Sequence, residues 1–534
     1  MESNVLRISN MKFRADFEPS IENELLSQKI QKTLKVKRDK LLSFGISKKS
    51  IDAREKNNVQ LVYSVDVEIE NERLYLGIKD VSFFEPLKYV IKETSKRITR
   101  PVVVGSGPAG LFCALILAEQ GLNPIIVEQG MDVDRRKMSV EKFWKYGVLD
   151  TNSNVQFGEG GAGTFSDGKL TTGIKNTRIP KVLNEFIEAG APREISYLSK
   201  PHIGTDILIT VVRNIRKKIE SLGGEVRFET KMKDLIIENG AVRGVLLESQ
   251  GNTETIETDA VVLAIGHSAR DTFYMLKDLG VDMTPKPFAV GVRIEHHQKD
   301  IDLKQFGSFA KSPLLGASDY KLNAHLPNGR GVFTFCMCPG GHVVAAASEE
   351  NAVVSNGMSY SARSGENANS ALLVSITPND FNGDVLAAVE FQRKLERKAF
   401  ELGGRNYFAP VQLVGDFLVD RGSKQLGDIV PTYTPGVTPT DLRECLDDFI
   451  VDSLKDGLRL LDKKLAGFIK HDAVLTAVES RSSSPVTIKR NPLTYESNIK
   501  GLYPCGEGAG YAGGITSSAV DGIKCAEAIM GIED

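Results

Sequence analysis

The chain has 534 residues, 41% of them apolar and 25% charged, with a net charge of −2. That is too long for one hydrophobic core and too ordinary in composition for a disordered, collagenous or disulfide-dense protein, so about two to four globular domains are expected. No overall field points to a nucleic-acid or membrane surface, and no run approaches the roughly 20 apolar residues of a membrane helix.

Six cysteines, at 113, 336, 338, 445, 505 and 525, are sparse and lie mostly in apolar stretches. They read as free thiols of a reducing compartment. The first residues, Met1 to Arg7, carry no apolar signal core. A cytoplasmic location is therefore expected.

Residues 1–97 read as a small α+β module. Val5 to Ile8 suggests a strand. Apolar residues recur at helical spacing from Ile21 to Leu34, with Leu41 and Leu42 continuing the run, and alternate from Leu61 to Ile69. Residues 29–49 hold eight basic residues against one acid, Asp39. This is either a solvated helix face or a surface for RNA or a protein; the solvated face is the simpler reading and no nucleic-acid partner is expected.

The strongest local signal follows. Val102-Val103-Val104 reads as a buried parallel strand, and Gly105, Gly107 and Gly110 follow at G-x-G-x-x-G spacing before a helical run to Gln120. Gly105 permits the turn, Gly107 a close approach to a pyrophosphate, and Gly110 close helix–sheet packing, with Pro108 and Ala109 in the first helical turn. A second apolar strand, Ile125 to Val127, ends at Glu128, 18 residues past Gly110 and placed to accept from a ribose hydroxyl. Gln129 follows it, and Arg135 and Arg136 either reach the pyrophosphate or are surface charges. A second G-x-G-x-x-G, at Gly158, Gly160 and Gly163, has no strand before it. It belongs to a glycine-rich loop, 154–170, expected to lie against a flat ligand through Gly161, Ala162 and Gly163.

Farther on, Ala260 to Ile265 is a buried strand ending at Ala264, Gly266 and His267. Residues 285–475 combine alternating strand patterns with helices near 384–403 and 440–466 and read as an inserted substrate domain. The last strand, Leu502 to Cys505, enters a glycine-dense turn, Gly506-Glu507, and a helix opening at Gly514, Ile515 and Thr516.

The first glycine motif with Glu128, the returning strand and the terminal Gly506-Glu507 turn together resemble the glutathione-reductase-like superfamily of FAD-binding oxidoreductases. The chain is most similar to the bacterial family of FAD-dependent dehydrogenases of uncharacterised activity. The resemblance implies an α/β fold: a Rossmann-like FAD-binding domain (98–284, closed by 476–534), the inserted α+β substrate domain (285–475) and the N-terminal module (1–97). It implies FAD as cofactor, with Ala264 and Gly266 near it, Glu507 in the place of the family's usual Asp, and the helix at 514–516 directed at the flavin pyrimidine. No second strand–glycine–helix unit is present, so nicotinamide, if it is the electron donor, binds only transiently.

An FAD-dependent oxidoreductase acting on a small-molecule substrate by hydride transfer is thus the expected activity; the alternative is a flavoprotein adaptor whose basic module contacts RNA or protein. Catalytic residues are not fixed by the sequence. His267 suits an acid/base, a cofactor contact or a structural role. Arg293 suits a carboxylate clamp or an ion pair with Glu295 or another acid. Cys336 and Cys338 suit a redox dithiol, a metal site or buried thiols, and no metal is expected because further ligands are lacking. Arg481 suits a contact to an anionic substrate.

Overall fold

The structure is a computed structural model that describes residues 5–85, 89–91, 94, 98–381 and 384–532. Strands β1 (Val5–Arg14), β2 (Leu41–Asp52), β3 (Gln60–Ile69) and β4 (Val81–Phe84) form an antiparallel sheet in the order β2-β3-β1-β4. The alternation in β3 buries Leu61, Tyr63, Val65 and Val67 on one face. Helix α1 (Glu22–Leu34) covers that face with Leu26, Ile30 and Leu34. The helical run does not continue to Leu42. Lys35, at φ 56°, ends the helix in the left-handed region, and Leu41 and Leu42 open β2, whose Phe44 and Ile46 pair with Val67 and Val65. Two adjacent leucines fit either period, and the waiting edge of β3 decides between them.

The module shares its core with Phe306, Phe309 and Leu315 of the later chain. Its edge strand also exchanges backbone hydrogen bonds at Lys49 with Tyr197 and Ser199. The expected boundary at 97 falls on residues 95–97, which lie outside the described residues.

A five-stranded parallel sheet, in the order β23-β11-β5-β6-β7, forms the cofactor domain. Its strands are β5 (Val102–Val104), β6 (Ile125–Val127), β7 (Glu225–Arg227), β11 (Val261–Leu263) and β23 (Leu502–Pro504). All but β7 are fully buried, as their unbroken apolar character requires of a sheet covered on both faces. Helices α2 (Pro108–Glu119), α3 (Val133–Tyr146), α4 (Ile179–Glu188), α5 (Thr205–Ser221) and α11 (Ile515–Ile529) surround it. Gly522 lets α11 press on α2, since a Cβ there would lie 2.1 Å from the Ala109 carbonyl oxygen. A three-stranded antiparallel sheet, β8 (Thr230–Glu238), β9 (Ala241–Ser249) and β10 (Asn252–Glu257), and helix α6 (Arg270–Asp278) complete this part.

A short ribbon, β12 (Met283–Pro285) with β22 (Val486–Ile488), leads out to and back from a seven-stranded sheet. In order, that sheet contains β14 (Asn323–His325), β15 (Gly331–Cys338), β18 (Asn367–Ile376), β13 (Phe288–His297), β21 (Val474–Glu479), β19 (Ala409–Leu413) and β20 (Val437–Pro439). Helices α8 (Ala387–Leu402) and α10 (Asp448–Asp462) bury Leu395, Leu454 and Leu458 against Val290, Val292 and Leu372 on one face. The hairpin of β16 (His342–Ala345) and β17 (Ser355–Met358) packs on the other, where a Cβ on Gly357 would meet the Arg293 guanidinium at 2.2 Å. Helices α7 (Gln298–Phe306) and α9 (Val414–Leu418) are peripheral. No helix among the described residues is long and apolar enough to cross a membrane.

Candidate functional site

The first glycine motif folds as strand, turn and helix. Gly105, at φ 100°, leaves β5 so close to β11 that a Cβ would sit 2.4 Å from the Ala264 carbonyl oxygen. A Cβ on Gly110 would sit 1.9 Å from the Gly105 carbonyl oxygen. Gly107 differs: a Cβ there would meet nothing nearer than Gly161 Cα, at 3.8 Å. It is the N-cap of α2 and offers no capping side chain, with Pro108 following, so the first amides of the helix are left for a ligand.

The second glycine run is brought onto the first. Gly160 N–H donates to the Ser106 carbonyl at 2.9 Å, and a Cβ on Gly161 would lie 3.0 Å from Gly107 Cα. A Cβ on Gly163 would lie 3.1 Å from the Ile515 side chain, at the head of α11. That helix also begins without a capping side chain, at Gly514. Thr516 instead donates its hydroxyl to the Leu170 carbonyl at 2.8 Å. One side-chain-free loop, through Gly161, Ala162 and Gly163, thus joins two open helix N-termini.

Glu128 stands at the end of β6, buried, but its acceptors are taken by the protein. Oε2 accepts from the Ser106 amide (3.0 Å) and hydroxyl (2.8 Å), and Oε1 from the amides of Gly130 (2.9 Å) and Gly158 (3.0 Å). A ribose hydroxyl must therefore share Glu128 with the Ser106 hydroxyl or displace it. Gln129 is half-buried in the turn that follows.

Arg135 and Arg136 are both engaged by the protein. Arg135 is tied at the surface to Asp132 and Glu229. Arg136 is fully buried and donates to the carbonyls of Asn154, Val155, Gly158 and Glu159 at 2.6–3.2 Å. Its guanidinium props up the glycine loop, because a buried cation must spend its donors on nearby acceptors.

At the terminal turn, Gly506 has φ 74° and donates its amide to Asp521 at 2.7 Å. Arg490 holds Asp521 through a two-pronged ion pair and lies between the rings of Tyr495 and Tyr511, at 4.3 and 3.8 Å. The Glu507 carbonyl accepts from the Gly510 amide at 2.9 Å, but its carboxyl group has no hydrogen-bond partner among the described residues. Enclosure by protein raises its carboxyl to about 7, with Lys286 pulling the other way. Lys286 and residues of the loops 171–174 and 510–514 line a cavity of about 370 Å³ at the head of α11.

Ala264 and Gly266 follow β11, and a Cβ on Gly266 would meet open space. His267 lies beside the domain junction with Nδ1 3.0 Å from the Ser268 hydroxyl. Burial, Arg481 and Arg270 push its imidazole down to about 3, so the ring is neutral at pH 7.

Both candidate arginines, Arg293 and Arg481, are paired within the protein. Arg293 is paired with Glu479 at 2.8 Å, not with Glu295, whose carboxylate is satisfied by Thr432 and Asn367. Arg481 is neutralised by Glu396 and also donates to Ser268 and Ser348. Arg481 is thus fully partnered within the protein. Cys336 is exposed and Cys338 buried. Among the described residues the only Cys/His/Asp/Glu group close enough to share a metal ion is Cys505, Asp521 and Cys525, and its carboxylate is already bound by Arg490.

Comparison with known proteins agrees with this geometry. Residues 99–299 match the model for pyridine nucleotide-disulphide oxidoreductases, 287–482 that for the C-terminal domain of FAD-dependent proteins, and 8–68 a domain of unknown function. A protein of Clostridium beijerinckii without assigned activity is 50% identical over 532 residues, 98% of each chain. The chain is a glutathione-reductase-like FAD-dependent oxidoreductase by family. A digeranylgeranylglycerophospholipid reductase of Methanocella arvoryzae is 29% identical over 169 residues, 31% of this chain and 38% of that one. Among solved structures, the chain is similar to the flavin-dependent brominase Bmp2 (14% identity, TM-score 0.38, 81% and 79% of the two chains). Another is a geranylgeranyl bacteriochlorophyll reductase-like protein of Thermoplasma acidophilum (13%, 0.36, 81% and 78%).

FAD is the cofactor of this FAD-dependent oxidoreductase, and the residues fit it. The two open helix N-termini suit its negatively charged and electron-accepting parts, and the side-chain-free contact between Gly107 and Gly161 suits close approach of a phosphate. Ser106, Asp521 and Arg490 carry no signal that their local sequence could have given. Asp521 and Arg490 act across 31 residues, and Lys286 is marked only by its flanking prolines.

Proposed function

We propose that this FAD-dependent oxidoreductase is a dehydrogenase or reductase that passes hydride between the flavin and a small organic substrate held between the 285–475 domain and the cofactor domain. FAD, when bound, supplies a two-electron acceptor and donor. The observation that carries the reading is the cavity of about 370 Å³ at the head of α11, which Lys286 borders from the substrate side. Gly105, Gly107, Pro108, Ala109, Gly110 and the Gly161–Gly163 loop are the residues we assign to the phosphates. Gly506, Glu507, Gly514, Ile515 and Thr516 are those we assign to the flavin end.

The chain's own residues then have separable tasks. Lys286 attracts and orients an anionic or strongly polar group at the cavity rim. Glu507, with its carboxyl raised to about 7, can hold or release a proton near neutral pH. The neutral His267 can accept or donate hydrogen bonds beside the junction without adding charge. The buried pairing of Arg481 with Glu396 fixes the substrate domain on the cofactor domain and so keeps bulk water from the cleft.

The test is anaerobic reduction of the FAD-loaded protein by NADH and by NADPH separately, followed by a panel of small organic donors and acceptors. Bleaching of the flavin by one class and its recovery with an acceptor is the expected result. A protein that dithionite bleaches but no nicotinamide or organic donor reduces would defeat the proposal.

A further inference from the structure

We propose that the cavity at the head of α11 binds a small carboxylate through the ammonium of Lys286, and that the organic substrate belongs to this class. The inference rests on the reading above and adds to it the chemistry of the substrate and the residue that selects it.

The first support is an uncompensated charge. Among the described residues, Lys286 is the one charged group lining the cavity, and its ammonium has no hydrogen-bond or ion-pair partner. The neighbouring cations are all engaged. Arg363 grips Asp167 with two nitrogens, and Lys169 donates to the Met337 carbonyl and lies 3.9 Å from Asp167. Arg490 is held by Asp521. A half-buried ammonium has lost part of its hydration, and an anion is the ligand that replaces it best. Burial pulls the Lys286 ammonium downward and Glu507 opposes the pull. A bound carboxylate adds to that opposition.

The second support is position. Pro285 and Pro287 flank Lys286 and restrict its backbone, and its amide donates to the Pro485 carbonyl at 2.9 Å. The ribbon of β12 and β22 thus fixes the ammonium where the chain passes between the two domains. The charge it faces is Glu507, on the turn after β23. A ligand seated on Lys286 therefore lies beside the turn assigned to the flavin, as hydride transfer requires.

The third support is size and polarity. A cavity of about 370 Å³ is at the small end of the about 300–1,000 Å³ typical of small-molecule sites. Thr171, Thr172 and Ser517 add hydroxyls to its wall. One ammonium matches the single charge of a carboxylate. A phosphate dianion calls for a second cation or an arginine fork, and no described residue of the wall supplies either.

Glu507 ties this binding to a proton. Its carboxyl is raised to about 7 by burial, with Lys286 pulling the other way. While it is protonated, Lys286 is left to the ligand; once ionised, it competes for the same ammonium. The other groups at the wall do not titrate with it. Burial keeps the Tyr511 phenol protonated, and residues 171–174 and 512–514 carry no charge. By linkage, a bound carboxylate holds the Glu507 proton more firmly, so binding near pH 7 takes up protons.

The experiment is an equilibrium titration that needs no turnover. FAD-loaded full-length protein is titrated with acetate, succinate and benzoate, with the matching amides, and with inorganic phosphate. Calorimetry and the change in flavin absorbance report binding. The wild type should bind carboxylates at least about tenfold more tightly than the amides or phosphate. K286M should lose that preference and K286R should keep most of it. K233M, which removes a lysine paired with Glu248 on the β8–β9 sheet, should behave as the wild type. Carboxylate affinity should weaken as pH rises through about 7, with proton uptake seen in buffers of different ionisation enthalpy, and E507Q should flatten both effects. Carboxylates that do not bind, amides or phosphate that bind as tightly, or a K286M protein that keeps the preference would overturn the proposal. A K286M protein that no longer retains FAD would overturn it too, because Lys286 would then serve the cofactor. A wild type that binds carboxylates as expected, yet whose flavin is reduced by no organic donor or nicotinamide, would defeat the hydride-transfer reading and leave the carboxylate site supported, so the two failures are distinct.

Discussion

The Arg481 guanidinium grips the Glu396 carboxylate at both oxygens, Nε to Oε1 at 3.0 Å and Nη2 to Oε2 at 2.8 Å, with both side chains buried at the domain junction. Arg270 approaches the same carboxylate from the cofactor domain at 2.7 and 2.9 Å. Glu349 also accepts from Arg270, at 2.9 Å, so Glu396 is the acid the two buried cations share and Glu349 a second partner for one of them. The Glu396 carboxyl is pushed up by burial and pulled down more strongly by Arg270 and Arg481, to far below the ordinary range. Glu396→Gln leaves Arg270 and Arg481 short of charge and should destabilise the protein by about 3–5 kcal/mol, read by denaturant unfolding. The depressed carboxyl also sets the sign with pH. Its contribution is complete above the ordinary glutamate range and is lost progressively as pH falls below it, so the wild type should lose its excess over the variant in acid.

Gly107 and Gly110 should separate cofactor binding from folding. A Cβ at Gly110 collides with the Gly105 carbonyl oxygen at 1.9 Å, whereas at Gly107 the nearest atom is 3.8 Å away and the backbone, at φ −71°, suits any residue. Gly107→Val should therefore fold with nearly unchanged melting of the FAD-free protein yet bind FAD at least about tenfold more weakly, a loss of about 1.4 kcal/mol. Gly110→Ala should lower both. Flavin content after dialysis and thermal unfolding of the stripped proteins measure the two effects.

Much of the cofactor domain is legible in the sequence because its signals are local. Val102 to Gly110 specify a strand, a turn and a helix within nine residues, and Gly105 and Gly110 are each required by a backbone oxygen close by. Ala264 to Gly266 and Gly506 to Gly514 are likewise turns that directly follow a strand. What the sequence hides is the pairing of charges. Arg136, Arg293 and Arg481 look alike as residues, and their partners lie 18 to 213 residues away. Only the fold reveals that each is already satisfied. Leu41 and Leu42 fail for another reason: they suit helix and strand equally, and the edge of β3 makes the choice.

Glu507 should make the stability of the FAD-stripped protein fall with rising pH. Its carboxyl is raised to about 7, chiefly by burial, so between pH 4.5 and 7 the unfolded chain gives up this proton while the folded one keeps it. Folding is then disfavoured progressively across that window and no further above it, by on the order of 1 kcal/mol given the partial exposure of the side chain. Glu507→Gln should flatten the dependence, and Lys286→Met, which removes the opposing cation, should extend it to higher pH. Melting temperatures of the three proteins from pH 4.5 to 8 give the answer.

The N-terminal module should not be separable from the rest without repair. Phe306, Phe309 and Leu315 are buried in the module's own core, and the Arg14 guanidinium lies 5.1 Å from the centre of the Phe309 ring. Removing residues 1–84 strips the partners from these side chains and leaves a contiguous apolar patch, a common cause of aggregation. The truncated chain should therefore be recovered mainly as aggregate. Adding Phe306→Ser and Phe309→Ser to the truncation should restore solubility and leave FAD content intact, because neither residue lies among those assigned to the cofactor. Within the full-length chain, Phe309→Ala alone should cost about 3–5 kcal/mol of module stability and speed proteolysis within the first 84 residues. Size-exclusion chromatography, flavin absorbance and limited proteolysis distinguish these outcomes. A soluble, monodisperse truncation with both phenylalanines in place would show that the module is an appendage and that its apolar contact with 306–315 contributes little.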